Sequence, residues 1–174
     1  MPRRTIAIAA ALSVLALGSP LITGCTNPLA TQYFNQGVEK YEAGNYQGAI
    51  DDWSKAIEIN PQNAAAYYNR GDAKDNLGDD QGAIADYTKV IEINPQNVIA
   101  YYNRGVSKGN LEDYQGAISD YTKVIEINPQ YASAYYNRGI ARELVNDLAG
   151  ACSDWRKAAD FGLKEPAQWV KNQC

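Results

Sequence analysis

The chain has 174 residues, 45% hydrophobic and 21% charged, an ordinary globular composition that sets a soft expectation of one domain. Lys and Arg total 16 against 20 Asp and Glu, for a formal charge of −4; with no basic run in the body, a nucleic-acid groove is not expected. The absence of His excludes imidazole bases, His-containing triads and His-ligated metal sites.

Residues 1–24 read as an export signal rather than as part of the fold. Arg3 and Arg4 give a basic start, and the stretch from Ile6 to Leu17 is apolar except for Ser13. At 1.5 Å per residue that stretch is too short for a bilayer core, which needs ~20 residues. Gly18 and Pro20 then interrupt the helix. Ile22-Thr23-Gly24-Cys25 resembles the lipobox of bacterial lipoproteins: a branched apolar residue, two small ones that let the backbone enter a peptidase, and a cysteine that accepts a diacylglyceryl group. The resemblance implies lipidation of Cys25 and membrane anchoring, since two or more acyl chains hold stably where one does not. The alternative is an ordinary secretory signal with an incidental cysteine. Thr26 is not the Asp that retains some Gram-negative lipoproteins in the inner membrane, so the outer membrane is the expected location. Residues 25–29 follow as a short tether.

A 34-residue period organises the rest. Ile-Asn-Pro recurs with Pro61, Pro95 and Pro129, and Tyr-Tyr-Asn-Arg-Gly recurs at 67–71, 101–105 and 135–139. Residues 64–97 and 98–131 share 25 identities in 34 positions, so they must adopt one structure. A period of this size means stacked supersecondary units. Within the second unit, Tyr67, Gly71, Lys74 and Leu77 mark one helical face; Ala83, Ile84, Tyr87, Val90 and Ile91 mark another. Gly78-Asp79-Asp80 supplies a turn between them, and Asn94-Pro95 ends the second helix, because a residue before Pro avoids the α region. Each unit is predicted to be an antiparallel helical hairpin.

These units resemble the tetratricopeptide repeat (TPR). Counting from Ala30, Ala64, Val98 and Ala132, place four is Tyr33, Tyr67, Tyr101 and Tyr135; place eight is Gly37, Gly71, Gly105 and Gly139. Place twenty is Ala49, Ala83, Ala117 and Ala151, and the aromatic four later is Trp53, Tyr87, Tyr121 and Trp155. The resemblance implies an all-α, right-handed superhelical solenoid with units at 30–63, 64–97, 98–131 and 132–165, closed by a capping helix at 166–174. Two departures stand out: place eleven, usually Tyr, holds Lys40, Lys74, Lys108 and Arg142, and Leu163 replaces Pro in the degenerate fourth unit.

Cys152 falls where Ile50, Ile84 and Ile118 sit, on the buried stripe of a second helix, and Cys174 ends the cap expected to cover it. Export permits a disulfide, which would close a loop of about 22 residues and contribute roughly 3 kcal/mol; the alternative is a buried small hydrophobe and an exposed terminal thiol. Arg70, Arg104 and Arg138 precede Asp86, Asp120 and Asp154 by sixteen residues, an offset joining the two helices of one hairpin, so structural ion pairs are predicted. Calcium-loop spacing, a phosphate-cradling glycine loop and a base beside any Ser or Thr are all missing, so no enzyme, metal or cofactor is expected.

By the TPR resemblance, places two, five, six, nine, twelve and thirteen face a concave groove. Place six is Asn35, Asn69, Asn103 and Asn137; place thirteen adds Asn76 and Asn110; place five is Phe34, Tyr68, Tyr102 and Tyr136. Amides offer both donor and acceptor to an extended backbone, and aromatics add apolar area at small entropic cost. A groove so built reads backbone and shape more than sequence. The bland alternative is that the amides bond only neighbouring helices and the rings only pack. Chaperone-tail clamps carry Lys or Arg at places two, five or six, and none is present. The reading is a non-catalytic, membrane-tethered scaffold for a protein or peptide partner; the rival is a structural module that self-associates as a homodimer.

Overall fold

The structure is a computed structural model that describes residues 27–163 and Cys174. The signal expected at 1–24, the lipidation expected at Cys25 and the cap expected before Cys174 lie outside the described residues. Eight helices follow one another: α1 (Pro28–Glu42), α2 (Tyr46–Ile59), α3 (Ala64–Asn76), α4 (Asp80–Ile93), α5 (Val98–Asn110), α6 (Tyr114–Ile127), α7 (Ala132–Leu144) and α8 (Leu148–Asp160). Consecutive helices pair as four hairpins, and each hairpin packs on the next to make an all-α solenoid.

Local chemistry sets the helix ends. Asn27 accepts from Leu29 N, with Pro28 in the first turn, so α1 begins inside the stretch read as tether. Asn45, Asn63, Asp79, Asn97, Asp113 and Asp147 each accept a backbone N–H at the start of the helix they precede. α7 is the exception: Tyr131 stands at its N-cap and makes no capping bond, and its ring lies 5.2 Å from that of Tyr102 instead. The turns inside the hairpins place Gly44, Gly78, Glu112 and Asn146 at φ between 62° and 78°. Helices α2, α4 and α6 stop at an Asn before Pro. α8 has no such proline and ends instead through Phe161 and Gly162, the latter at φ 97°.

The core is a ladder of alanines and aromatics. Ala49, Ala83, Ala117 and Ala151 are fully buried, as are Tyr87 and Trp155. Glycine at place eight is required by close approach: a Cβ on Gly105 would fall 2.8 Å from the Tyr121 ring, and one on Gly37 2.5 Å from Trp53. The bare backbone also lets Trp53 Nε1 donate to Phe34 O at 3.1 Å and Trp155 Nε1 donate to Tyr136 O at 3.3 Å.

Candidate functional site

The place-five tyrosines and place-six asparagines meet across repeat boundaries. Asn103 Nδ2 donates to Tyr68 Oη at 3.2 Å, and Asn137 Nδ2 donates to Tyr102 Oη at 3.0 Å. All four residues are half-buried. Each amide therefore commits one N–H to the stack and leaves its carbonyl oxygen without a donor among the described residues. Burial pushes the phenol pKa of Tyr68 and of Tyr102 upward, so both accept these bonds as neutral hydroxyls at ordinary pH. Asn69 differs because the residue facing it in the first repeat is Phe34, which has no hydroxyl; the Asn69 side chain makes no hydrogen bond among the described residues. Asn35 is exposed and Tyr136 half-buried. Asn76 Nδ2 donates to Asp72 O at 2.8 Å and to Tyr41 Oη at 3.1 Å, while Asn110 Nδ2 donates to Asp80 Oδ1 at 2.7 Å.

Two cavities open beside these rows at equivalent repeat boundaries. One, of about 250 Å³, is lined by Val38, Tyr41, Glu42, Trp53, Asn69 and Asp72. The other, of about 210 Å³, includes Val106, Gly109, Asn110, Tyr121, Asn137, Ile140 and Leu144. At the boundary between them, Asp75 spans the equivalent space: Tyr87 Oη donates to its Oδ2 at 2.8 Å and Ser107 Oγ to its Oδ1 at 2.9 Å. Burial raises the Asp75 pKa, and these two hydrogen bonds hold it down in part. In the first cavity the Tyr41 hydroxyl makes a short hydrogen bond to Asp72, and that bond is the main reason its pKa is pushed up to about 12.

A charged staple backs the rows. Asp86, Asp120 and Asp154 are 2–3% exposed. Arg70 reaches Asp86 through Nε at 2.9 Å and an outer nitrogen at 2.6 Å, and Arg104 and Arg138 repeat the fork on Asp120 and Asp154. Burial alone would lower the Arg70 pKa, but the bonds and charge of Asp86 outweigh it and the net shift is upward. Each fork has two further partners. Lys74, Lys108 and Arg142 add a second cation at 2.7–2.8 Å from the same carboxylates. The remaining guanidinium nitrogen donates at 3.0 Å to Ser54, Thr88 or Thr122, a hydroxyl of the preceding repeat.

A family model described as TPR repeat matches residues 37–78, and the tetratricopeptide repeat model matches 64–97 and 98–131, so the matches together span more than half of the chain. The chain belongs to the tetratricopeptide-repeat family. No curated protein matches it by sequence. Among solved structures, MamA from Desulfovibrio magneticus RS-1, residue 41 to the end, is 24% identical at a TM-score of 0.79, covering 84% of each chain. YrrB, described as a TPR protein with an unusual peptide-binding site, is 24% identical at a TM-score of 0.75, over 82% of this chain and 74% of its own. The first TPR of Spaghetti (RPAP3), bound to the HSP90 peptide SRMEEVD, is 24% identical at a TM-score of 0.65, over 68% of this chain and 94% of its own. At these identities the likeness shows the fold.

Against the TPR pattern, the cation at place eleven now has a physical reason: it stands over a buried carboxylate that the aromatic of that place could not neutralise. Sequence reading paired only Arg with Asp. The sixteen-residue spacing from Ser54 to Arg70 was equally visible, but nothing within one hairpin says that this partner lies in the previous repeat. Cys152 and Cys174 are joined as a disulfide, with Cα atoms 5.7 Å apart. Among the described residues no group of three or more His, Cys, Asp or Glu side chains could hold a metal ion, and no helix is long and apolar enough to cross a membrane.

Proposed function

We propose that this TPR protein is a non-catalytic scaffold, exported and tethered to a bacterial membrane through lipidated Cys25, that binds an extended segment of an envelope protein in its concave groove. One observation carries the reading. At Asn69 and Asn137, hydrogen-bonding capacity remains beside open cavities, whereas a purely structural row would consume it. An extended backbone presents alternating N–H and C=O groups, which carboxamides can satisfy without regard to side-chain identity. The peptide-bound Spaghetti structure and the YrrB description support a polypeptide as the class of ligand. No basic residue lines either cavity, which argues against an acidic tail as the occupant.

In-cell crosslinking followed by capture from native membranes tests this reading. The double variant Asn69→Lys/Asn103→Lys is expected to lose partners that the unaltered protein retains; identical partner lists would sink groove binding. A self-associating module is the second reading, favoured by Leu77, Leu111 and Leu144, each about half exposed near the ends of successive first helices. Light scattering decides it: a stable dimer whose groove is occluded supports self-association.

A further inference from the structure

The two cavities descend from one repeat position, yet they differ in chemistry. Moving 68 residues along the chain, Val38 becomes Val106 and Asn69 becomes Asn137, so the common framework is kept. Four other substitutions change the walls: Glu42 to Asn110, Asp72 to Ile140, Tyr41 to Gly109 and Trp53 to Tyr121. The glycine leaves room, since a Cβ placed there would meet nothing within 4 Å, and Leu144 is 52% exposed at the rim. The first cavity thus sets two carboxylates beside Tyr41, whereas the second has no carboxylate and presents Val106, Ile140 and Leu144 beside Tyr121.

The carboxylates of the first cavity, exposed Glu42 and half-buried Asp72, also differ from the four aspartates buried beneath a cation. Asp52, Asp86, Asp120 and Asp154 each face at least one Lys or Arg within 2.8 Å. Neither Glu42 nor half-buried Asp72 has an ion pair among the described residues; Asp72 receives only the Tyr41 hydroxyl on its carboxylate. A long basic side chain fits such a place: its methylene stem lies along Val38 and Tyr41 while its head meets the carboxylates. Resting on the groove reading above, we propose that the groove is sequence-selective and holds a segment with a Lys or Arg in the first cavity and an aliphatic side chain in the second. Two repeats separate the sites by roughly 20 Å at about 10 Å per packed helix layer. An extended chain rising about 3.3 Å per residue spans that with some six residues between the two anchors, in either chain direction.

A positional-scanning library of synthetic undecapeptides, read by fluorescence anisotropy against the full chain in detergent, tests the proposal. Enrichment of Lys or Arg at one position and of Leu, Ile or Met about six residues away is expected. Asp72→Asn, which keeps an acceptor for Tyr41, should weaken the best basic peptide about tenfold and leave its Lys→Met analogue unchanged. Ile140→Asp should weaken peptides with the aliphatic anchor and spare those without it. Circular dichroism melts confirm that each variant folds. Saturable binding with no preference for a basic residue, or equal loss of both peptides in Asp72→Asn, overturns the two-site proposal while groove binding stands. If no library member binds saturably, both fall.

Discussion

The first repeat and the three that follow it hold the same buried aspartate in different ways. Asp86, Asp120 and Asp154 are each forked by an arginine, met by a second cation, and linked through that arginine to the repeat before. Asp52 is just as buried at 3% exposure, but Gln36 stands where the arginine would be. Lys40 lies 2.5 Å from its Oδ2 without hydrogen-bond geometry, and Lys55 is 3.6 Å from Oδ1. The first repeat has no hairpin described before it, hence no hydroxyl for a third guanidinium bond. In the later repeats the arginine therefore acts twice, as the fork on the buried aspartate and as a staple to the repeat before.

Removing the carboxylate should break the comparison most sharply. Asp120→Ala leaves Arg104 and Lys108 facing each other with little access to water, and a loss of about 3–5 kcal/mol is expected. Asp52→Ala should cost about 1–2 kcal/mol, because Lys40 and Lys55 are 42% and 51% exposed and can rehydrate. Urea unfolding of both variants measures the gap, and equal losses would refute the distinction. Thr122→Val isolates the inter-repeat bond: Arg138 loses its partner across the boundary while the fork on Asp154 stays, for an expected loss of about 1–2 kcal/mol by the same measurement. The smallest effect belongs to Gln36→Arg. A fork on Asp52 without the third bond should raise stability by less than about 1 kcal/mol, seen as a rise of a few degrees at most in the thermal midpoint; a gain equal to the Asp120→Ala loss would show that the preceding hydroxyl is irrelevant.

Much of the fold was legible because a 34-residue period constrains every unit at once. Gly105 and Tyr121 announce a helix crossing by recurring at matched places, and the structure puts that ring against that glycine. One helix start was missed: Asn27-Pro28 carries an N-cap signal, yet repeat counting leaves it in the tether. The rows at places five and six could be located by counting, but not their internal bonds, since the partner of Asn103 lies 35 residues back, across a boundary that single-hairpin periodicity does not describe. The cavities were less legible still. Asp72 and Asp75 stand out only against Val38, Val106 and Ile140 at place nine and Tyr41, Gly109 and Glu143 at place twelve. A reading that looks for what repeats passes over the residues that do not.

Apolar spacing and capping residues act within about one repeat, so the amino-acid order alone specifies the hairpin, its helix boundaries to within a turn, and the stacking of one hairpin on the next. Only the tertiary structure decided which amides are committed to a tyrosine, which buried acids have a counter-charge and which repeat boundary stays open. Those outcomes depend on side chains brought together from neighbouring repeats, where one changed residue such as Phe34 or Gly109 leaves the helices in place and alters what they enclose.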